Sequence, residues 1–461
     1  MTRVTRVASA VVVVASLAGA CSSSSKSSSS PSNTPSSSSP TGATTSAQTT
    51  PAPRPMPPGP TCVRFDNGKG CMPVAPQSRR VDLVRPVFSN PLQIDNPLHP
   101  SGKIDQVIYG GQVGGKPFRT EFTRLPAAKK TVVWEGTTIP AVSWQYMAFS
   151  AGRIEEVAID WFAQADDGGV WYLGEDVQDY RDGRIYTKEG TWVTGPVAPP
   201  ALIMPPAHGV GDAYRTENAP GIVFEEVTVK AVGQTVSGPS GPIKGTIKVS
   251  ELHTDGGRED KIFAPGYGEF STGSPDGDLE AAALAFPTDA RPGGVPARLT
   301  VLSRWVQTVY DAVSSSRWSD ARTALGALTR AWRPGTSLLD KQLGRDRAQL
   351  GVAVANRSSA RARSAALRVA QDVLDQRLRY VPLATIEKAR FDLWRRQIGV
   401  DARANDGGSV AGDVAALWWT WDRVRPTIGP AVANRVDAQL KAAAGADPRT
   451  AARIAAALSL T

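Results

Sequence analysis

Histidine and cysteine are both scarce in this chain of 461 residues, which has three of each. His99, His208 and His253 are far apart in the sequence, and we identify no second metal-binding side chain beside them at the usual ligand spacing. The Gly-x-Ser-x-Gly segment that presents a nucleophilic serine is also missing. The sequence therefore predicts no metal, no cofactor and no catalytic residue. Two acids brought together by folding leave no local signature, so a hydrolase of that type is kept as a third hypothesis.

The apolar run at the start of the chain is too short to cross a bilayer. It covers residues 7–20 and has 14 residues, whereas a spanning helix needs about 20. Arg3 and Arg6 precede it, and small residues end it. This arrangement is typical of a secretory signal peptide, which we predict over residues 1–20.

The segment from Leu17 to Cys21, LAGAC, resembles a bacterial lipobox. The resemblance implies that acyl chains such as palmitate are attached to Cys21 and anchor the protein at the extracytoplasmic face of the cell membrane. Each buried methylene of such a chain contributes about 0.8 kcal/mol to membrane binding. Ordinary cleavage, which leaves Cys21 as a free thiol, is the alternative. Cys62 and Cys71 then remain, nine positions apart, and we predict that they form a disulfide.

Acidic residues are absent from residues 22–60, where Ser, Thr, Pro, Ala and Gly make up almost the whole sequence. Such a segment cannot bury enough apolar surface to offset its conformational entropy. We therefore predict that residues 21–60 consist of the lipidated cysteine and a disordered tether.

The rest of the chain divides into two parts of opposite charge. Residues 61–290 have a strand-like pattern and a net charge of −8, and residues 291–461 have a helical pattern and a net charge of +13. The predicted fold class is α+β in two units, with an antiparallel β sandwich or partly open barrel followed by an antiparallel α-helical bundle. The GGQVGGK segment at residues 110–116 is interpreted as a glycine hairpin, because Pro117 stands where a phosphate-binding loop requires a hydroxyl.

The clearest strand pattern lies in residues 157–192, where side chains alternate and Asp-Gly pairs mark two hairpin turns. Four motifs in and after it, at residues 160–164 (DWFAQ), 170–176 (VWYLGED), 190–192 and 211–217, resemble a module of exported bacterial lipoproteins. The resemblance covers roughly residues 100–275 and implies a β-rich module without an assigned activity. The layout is also loosely similar to periplasmic lipid-carrier half-barrels.

Acidic side chains and tryptophans supply two further candidate sites. The first is a weak calcium cluster near two turns, formed by Asp166, Asp167, Glu175 and Asp176. The alternative is that these acids only shape the turns. The second candidate is a contact surface at Trp418 and Trp419, with packing against a neighbouring helix as the alternative.

The predicted location restricts the partners of the basic helical unit. Export argues against nucleic acid, which leaves anionic lipid, a cell-wall polymer or the acidic β unit of the same molecule. We expect the two units to pack loosely and to separate near 1 M salt. The predicted function is a lipid-anchored envelope protein that acts by binding. A carrier that encloses a lipid or other apolar ligand in the β unit is the alternative.

Overall fold

The computed structural model describes residues 55–56, 59, 62–66, 68–196 and 198–461. The predicted signal peptide, Cys21 and most of the predicted tether lie outside these residues. The folded part begins earlier than the sequence predicts, because Met56 is buried and its N–H donates to the Leu83 carbonyl at 2.8 Å. Cys62 and Cys71 form the predicted disulfide.

Within the described residues, fifteen strands precede eight α-helices, which confirms the predicted fold class. The strands are β1 (Gln106–Val113), β2 (Lys116–Arg124), β3 (Lys130–Trp134), β4 (Thr137–Ser150), β5 (Arg153–Gln164), β6 (Val170–Arg181), β7 (Arg184–Thr187), β8 (Trp192–Val193), β9 (Ala201–Met204), β10 (Ala213–Ala219), β11 (Val223–Gly238), β12 (Gly241–His253), β13 (Arg258–Ala264), β14 (Gly268–Gly273) and β15 (Leu279–Phe286). The helices are α1 (Ala297–Ser314), α2 (Trp318–Ala331), α3 (Leu338–Ala355), α4 (Ser359–Arg377), α5 (Leu383–Arg403), α6 (Gly407–Val424), α7 (Pro430–Ala444) and α8 (Pro448–Ala457).

Local sequence explains where these elements turn and start. Gly114 and Gly115 have positive φ angles of 56° and 70° between β1 and β2, so the glycine-rich segment is the predicted hairpin. Ser337 caps α3 by accepting from the Asp340 N–H, and Asp406 caps α6 by accepting from the Ser409 N–H. None of the helices in the described ranges has the length and apolarity that crossing a membrane requires.

All pairings in the sheet are antiparallel, and the strand path runs β10-β11-β12-β13-β14-β15-β1-β2-β4-β5-β6-β7. The sheet curls round until its ends approach each other. β9, which pairs with β6, lies beside β10 at the start of the path, and the carboxyl groups of Glu175 on β6 and Glu217 on β10 are in contact. In the described residues no hydrogen-bonded ladder joins β9 to β10, so the curl is open. We call this junction the seam.

The curl gives the sheet a buried inner face and an outer face that is buried where other parts of the chain cover it. The inner face holds the largest apolar cluster, to which Ile94, Leu98 and Ile104 of the preceding segment contribute. On the outer face, Ile108 and Leu284 pack against Leu378 and Ile386 of the helical unit. The helices also bury clusters of their own, one centred on α1 to α4 and the other on α5 to α8.

A buried network of arginines and carboxylates joins the outer face to the helices. It consists of Arg119 and Glu121 on β2, Asp375 on α4, Glu387 and Arg390 on α5, and Arg423 on α6. Arg423 lies 2.5 Å from Glu121 and 2.8 Å from Glu387, and Arg390 lies 2.7 Å from Asp375. Together with the apolar contacts, this arginine–carboxylate network makes a buried interface, which does not support the loose packing that surface ion pairs imply.

Candidate functional site: an acid-lined cavity inside the curled sheet

The inner face lines a half-open cavity of about 190 Å³, in which acidic groups are in excess. Its volume is roughly that of six water molecules in the liquid. Lys261 and His253 also line it. The eight carboxyl side chains in its wall are Glu156, Asp160, Glu175, Glu217, Glu225, Glu259, Glu269 and Glu280.

The strand period places these groups on the inner face. On β5, Glu156, Ala158 and Asp160 alternate along the cavity wall, and on β13 Glu259 and Lys261 do the same. The residues between them point to the other side of the sheet. The acids therefore occupy inward-facing positions of the strands, where apolar core side chains normally lie.

One end of the cavity is neutralised by the protein itself. Lys261 Nζ lies 2.5 Å from Glu251 Oε2 and 3.5 Å from Glu269 Oε2. His253 Nδ1 lies 3.0 Å from Glu225 Oε1. Burial alone would lower the pKa of both bases, but the surrounding carboxylates outweigh it and raise both pKa values well above the ordinary range. Both bases are therefore cations that compensate the carboxylates around them.

The seam has no such compensation. Asp160, Glu175 and Glu217 meet there, and none of the ion pairs among the described residues includes any of them. Tyr172 Oη donates to Asp160 Oδ1 at 2.8 Å. Burial raises the pKa of Asp160 to about 7, and burial with the charge of Glu225 raises the pKa of Glu217 to about 8. Burial and Glu217 likewise raise the pKa of Glu175. A shared proton or a bound cation would relieve this repulsion.

A further acid without an ion pair among the described residues lies on the wall across from the seam. Glu280 is on β15, near the middle of the strand path, and burial raises its pKa to about 8. In a sheet that curls round on itself, the middle of the path lies opposite the junction of its ends. Tyr146 also lines the cavity, and burial with the charge of Glu280 raises its pKa well above the ordinary value.

Several buried polar atoms around the cavity have no hydrogen-bond partner within the described part of the chain. They are His99 Nδ1, Ser101 Oγ, Tyr146 Oη, Glu175 Oε1, His253 Nε2 and Glu280 Oε1. Burial lowers the pKa of His99 to about 4, so its imidazole is neutral. Buried polar groups in native proteins are almost always satisfied, and those that are not point to water, an ion or a ligand.

Aromatic rings complete the cavity wall. Phe162 stacks on Tyr172 with ring centroids 4.9 Å apart, and Phe122 stacks on Trp144 at 4.6 Å. His99 meets the Phe162 ring edge-on at 4.7 Å. Cations are attracted to the faces of aromatic rings and form ion pairs with carboxylates. This combination of side chains is therefore suited to a positively charged group.

The predicted absence of metal-binding neighbours around His253 is wrong. Glu251 lies two residues earlier on the same face of β12, and Glu225 is directly opposite His253 on β11. The three place ligand atoms within 4.8 Å of one another, the one such group in the described ranges. These residues have the donor atoms for a divalent metal. However, the Lys261 ammonium contacts Glu251, and His253 donates to Glu225, so cations of the protein take the place of a metal there.

The structure does not bring the four acids of the predicted calcium cluster together. Asp166 accepts from the N–H and hydroxyl of Ser89, and Asp167 accepts from the Gly169 N–H, so both shape their turn. Asp176 lies 3.3 Å from Lys188. Glu175 is the member that enters the cavity, because it follows a register shift next to Gly174 and faces inward.

Trp418 and Trp419 do not form an exposed contact surface. Trp418 is half-buried against the cluster of α5 to α8. Trp419 packs on the outer face of the sheet, where its Nε1 donates to Tyr180 Oη at 2.8 Å. Both therefore follow the packing alternative.

No family model matches this chain, and comparisons with curated proteins and with solved structures also find no match. The resemblance to the lipoprotein module stays a prediction, and function has to be argued from the geometry of the cavity.

Proposed function

We propose that this is a lipid-anchored envelope protein that acts by binding, and that its ligand is a small positively charged molecule held in the acid-lined cavity. The observation that carries the proposal is the charge imbalance of the inner face. Eight carboxyl groups and two cations, His253 and Lys261, line one cavity. Among the described residues, the acids at the seam and on the opposite wall form no ion pair. A cation that enters would replace the protons that now keep these groups neutral.

The unpartnered atoms support the same ligand class. Glu175 Oε1 and Glu280 Oε1 are acceptors that lack donors, and an ammonium group supplies several donors together with a positive charge. The aromatic walls add the apolar and ring-face contacts that an organic cation prefers over a hydrated metal ion.

The cavity disfavours the lipid-carrier alternative. A lipid carrier needs an apolar cavity of roughly several hundred Å³, and this one is about 190 Å³ and lined by carboxyl groups. The carboxyl pair at the seam does not have the spacing of a glycosidase. Glycosidases hold their two carboxyl groups about 5 to 9.5 Å apart, whereas Glu175 and Glu217 are in direct contact.

Calorimetric titration of the full chain with butylammonium and with butyrate, an anion of similar size, tests the proposal. We expect heat of binding for butylammonium only, and tighter binding at pH 8.5 than at pH 6. The reason is that the carboxyl groups of Asp160 and Glu217 must release protons, and their pKa values are raised to about 7 and about 8.

Two variants locate the site. The double variant Glu175→Gln/Glu217→Gln should abolish binding, because it removes both charges at the seam. Asp176→Asn is the matched control, since Asp176 is adjacent on β6 but pairs with Lys188 outside the cavity. Binding that survives the double variant, or that is lost in the control, would show that the cation does not bind at the seam.

A further inference from the structure

We infer that the ligand carries two positive charges separated by a short aliphatic chain, as an α,ω-diammonium does, and that it bridges the cavity from the seam to Glu280. This inference rests on the proposed function and names the class of cation that the site selects.

The first step of the argument is that the uncompensated acids form two groups, on opposite walls. Asp160, Glu175 and Glu217 meet at the seam, where the two ends of the strand path approach each other. Glu280 lies on β15, near the middle of that path. All four side chains line the same cavity, so one ligand is able to reach both groups.

The second step concerns the acids between these groups. The inner face at β11 to β14 carries Glu225, Glu251 and Glu269, and the cations His253 and Lys261 lie within 3.0, 2.5 and 3.5 Å of them. A ligand charge in this region would therefore gain little, because the acids there already pair with cations of the protein. The wall beyond it is aromatic, with Tyr109 and Phe263 among the lining residues. A molecule with charged ends and an apolar middle fits this sequence of environments.

The third step is the pair of unsatisfied acceptors. Glu175 Oε1 and Glu280 Oε1 are both buried and without a donor, one in each group. A single ammonium satisfies only one of them, and the other stays unpaired. A second ammonium at the far end of the ligand satisfies both. The cavity volume of about 190 Å³ restricts the connecting chain to a few methylene groups.

Titration of the full chain with butane-1,4-diammonium and butylammonium separates the inference from the proposed function. We expect the diammonium to bind about 10- to 100-fold more tightly, since it adds one charged hydrogen-bonded contact. Glu280→Gln should reduce its affinity to that of butylammonium and leave butylammonium binding unchanged. Gln resembles the protonated acid that burial already favours, so the variant should fold, which its thermal unfolding checks. Asp260→Asn, an exposed position on β13, is the control.

A second variant tests the geometry by chain length. Glu280→Asp withdraws the carboxyl group by about one methylene, so the diammonium that binds best should become one methylene longer than for the unchanged protein. Equal affinity for mono- and diammonium would overturn the inference and leave the proposed function standing. Absence of binding by either amine would overturn both. Binding of Mg²⁺ or Zn²⁺ more tightly than the diammonium, with loss in Glu280→Gln, would replace the inference with a metal site.

Discussion

On the outer face of the sheet, Glu121, Glu387 and Asp375 have arginine nitrogens at 2.5, 2.6 and 2.7 Å. On the inner face, Asp160, Glu175 and Glu217 meet, and in the part of the chain that the structure describes no arginine or lysine forms an ion pair with them. The pKa values respond in opposite directions. Burial raises the pKa values of Asp160, Glu175 and Glu217 on the inner face. On the outer face Arg390, Arg423 and Arg119 outweigh burial and lower the pKa values of Glu121 and Asp375.

The difference distinguishes a structural charge cluster from a binding site. A buried acid that is paired within the protein needs no further partner once the chain has folded. A buried acid without a base lowers the stability of the fold unless a proton or a ligand neutralises it. The inner face therefore retains an unfavourable feature that a cation would correct, whereas the acids of the arginine–carboxylate network are already paired.

The largest effect should come from breaking the outer network. Arg390→Leu leaves Glu121, Asp375 and Glu387 without one of their shared partners, so we expect it to reduce the free energy of unfolding by about 3 to 5 kcal/mol. Arg425→Leu is the control, because its partner Asp437 is 36% exposed, and such surface pairs contribute about 0 to 1 kcal/mol. Urea unfolding measures both, and equal losses would contradict the distinction between buried and exposed pairs.

A smaller effect of opposite sign is expected on the inner face. In Glu217, the folded-state pKa of about 8 lies above the ordinary value, so the protonated form is favoured by folding below that pKa. This stability is lost as pH rises through about 8. The loss begins above the ordinary value of 4.5, where the unfolded carboxyl group ionises. Glu217→Gln should therefore unfold at nearly the same temperature as the unchanged protein at pH 4 and at a higher temperature at pH 9. A lower unfolding temperature at pH 9 would mean that the Glu217 carboxylate stabilises the fold.

Low pH should destabilise the outer face, whereas high pH destabilises the inner face. The pKa of Asp375 is lowered in the folded state, so its contribution is present above the unfolded value of about 4 and is lost as pH falls below it. Acid unfolding of Arg119→Leu, which removes one of the two arginines that lower this pKa, should depend less steeply on pH than that of the unchanged protein. An unchanged slope would assign the acid sensitivity to other carboxylates.

The smallest effect is expected from salt. The sequence suggests that the two units separate near 1 M salt, but the interface buries apolar side chains as well as the arginine–carboxylate network. Salt screens buried pairs weakly. We therefore expect the same compact radius of gyration by small-angle scattering at 0.1 and about 1 M salt, and an increase at high salt would restore the electrostatic account.

Periodicity in the sequence was sufficient to predict the order of strands and helices and the change between them. β15 ends at Phe286 and α1 begins at Ala297, on either side of the predicted boundary. The Cys62–Cys71 disulfide follows from counting thiols. Helix α8 was missed, because its ten residues are mostly alanine and arginine and its cap, Asp447, is a short-range signal.

The cavity was not predicted, for a physical reason. Alternation tells which residues share a face, and it identifies the inner face only when that face is apolar. On β13 Arg258 and Asp260 are exposed, whereas Glu259 and Lys261 face the cavity. Because both rows are charged, the pattern does not show which of them faces inward. The pair of Glu251 and His253, two residues apart on β12, was the available local signal. The meeting of Glu175 with Glu217 depends on strands at the two ends of the path and has no local signal.

The way the chain enters the folded part has a mechanical consequence. Pro55 bridges Val84, and the Met56 N–H donates to the Leu83 carbonyl. In the segment that they join, the Val81 N–H donates to the Ala213 carbonyl at the start of β10. Tension on the chain before Pro55, as the predicted anchor at Cys21 would apply, would therefore act on β10, the strand that supplies Glu217 to the cavity. Within the described residues β10 has a hydrogen-bonded ladder with β11 and none with β9, so such tension would act on the seam.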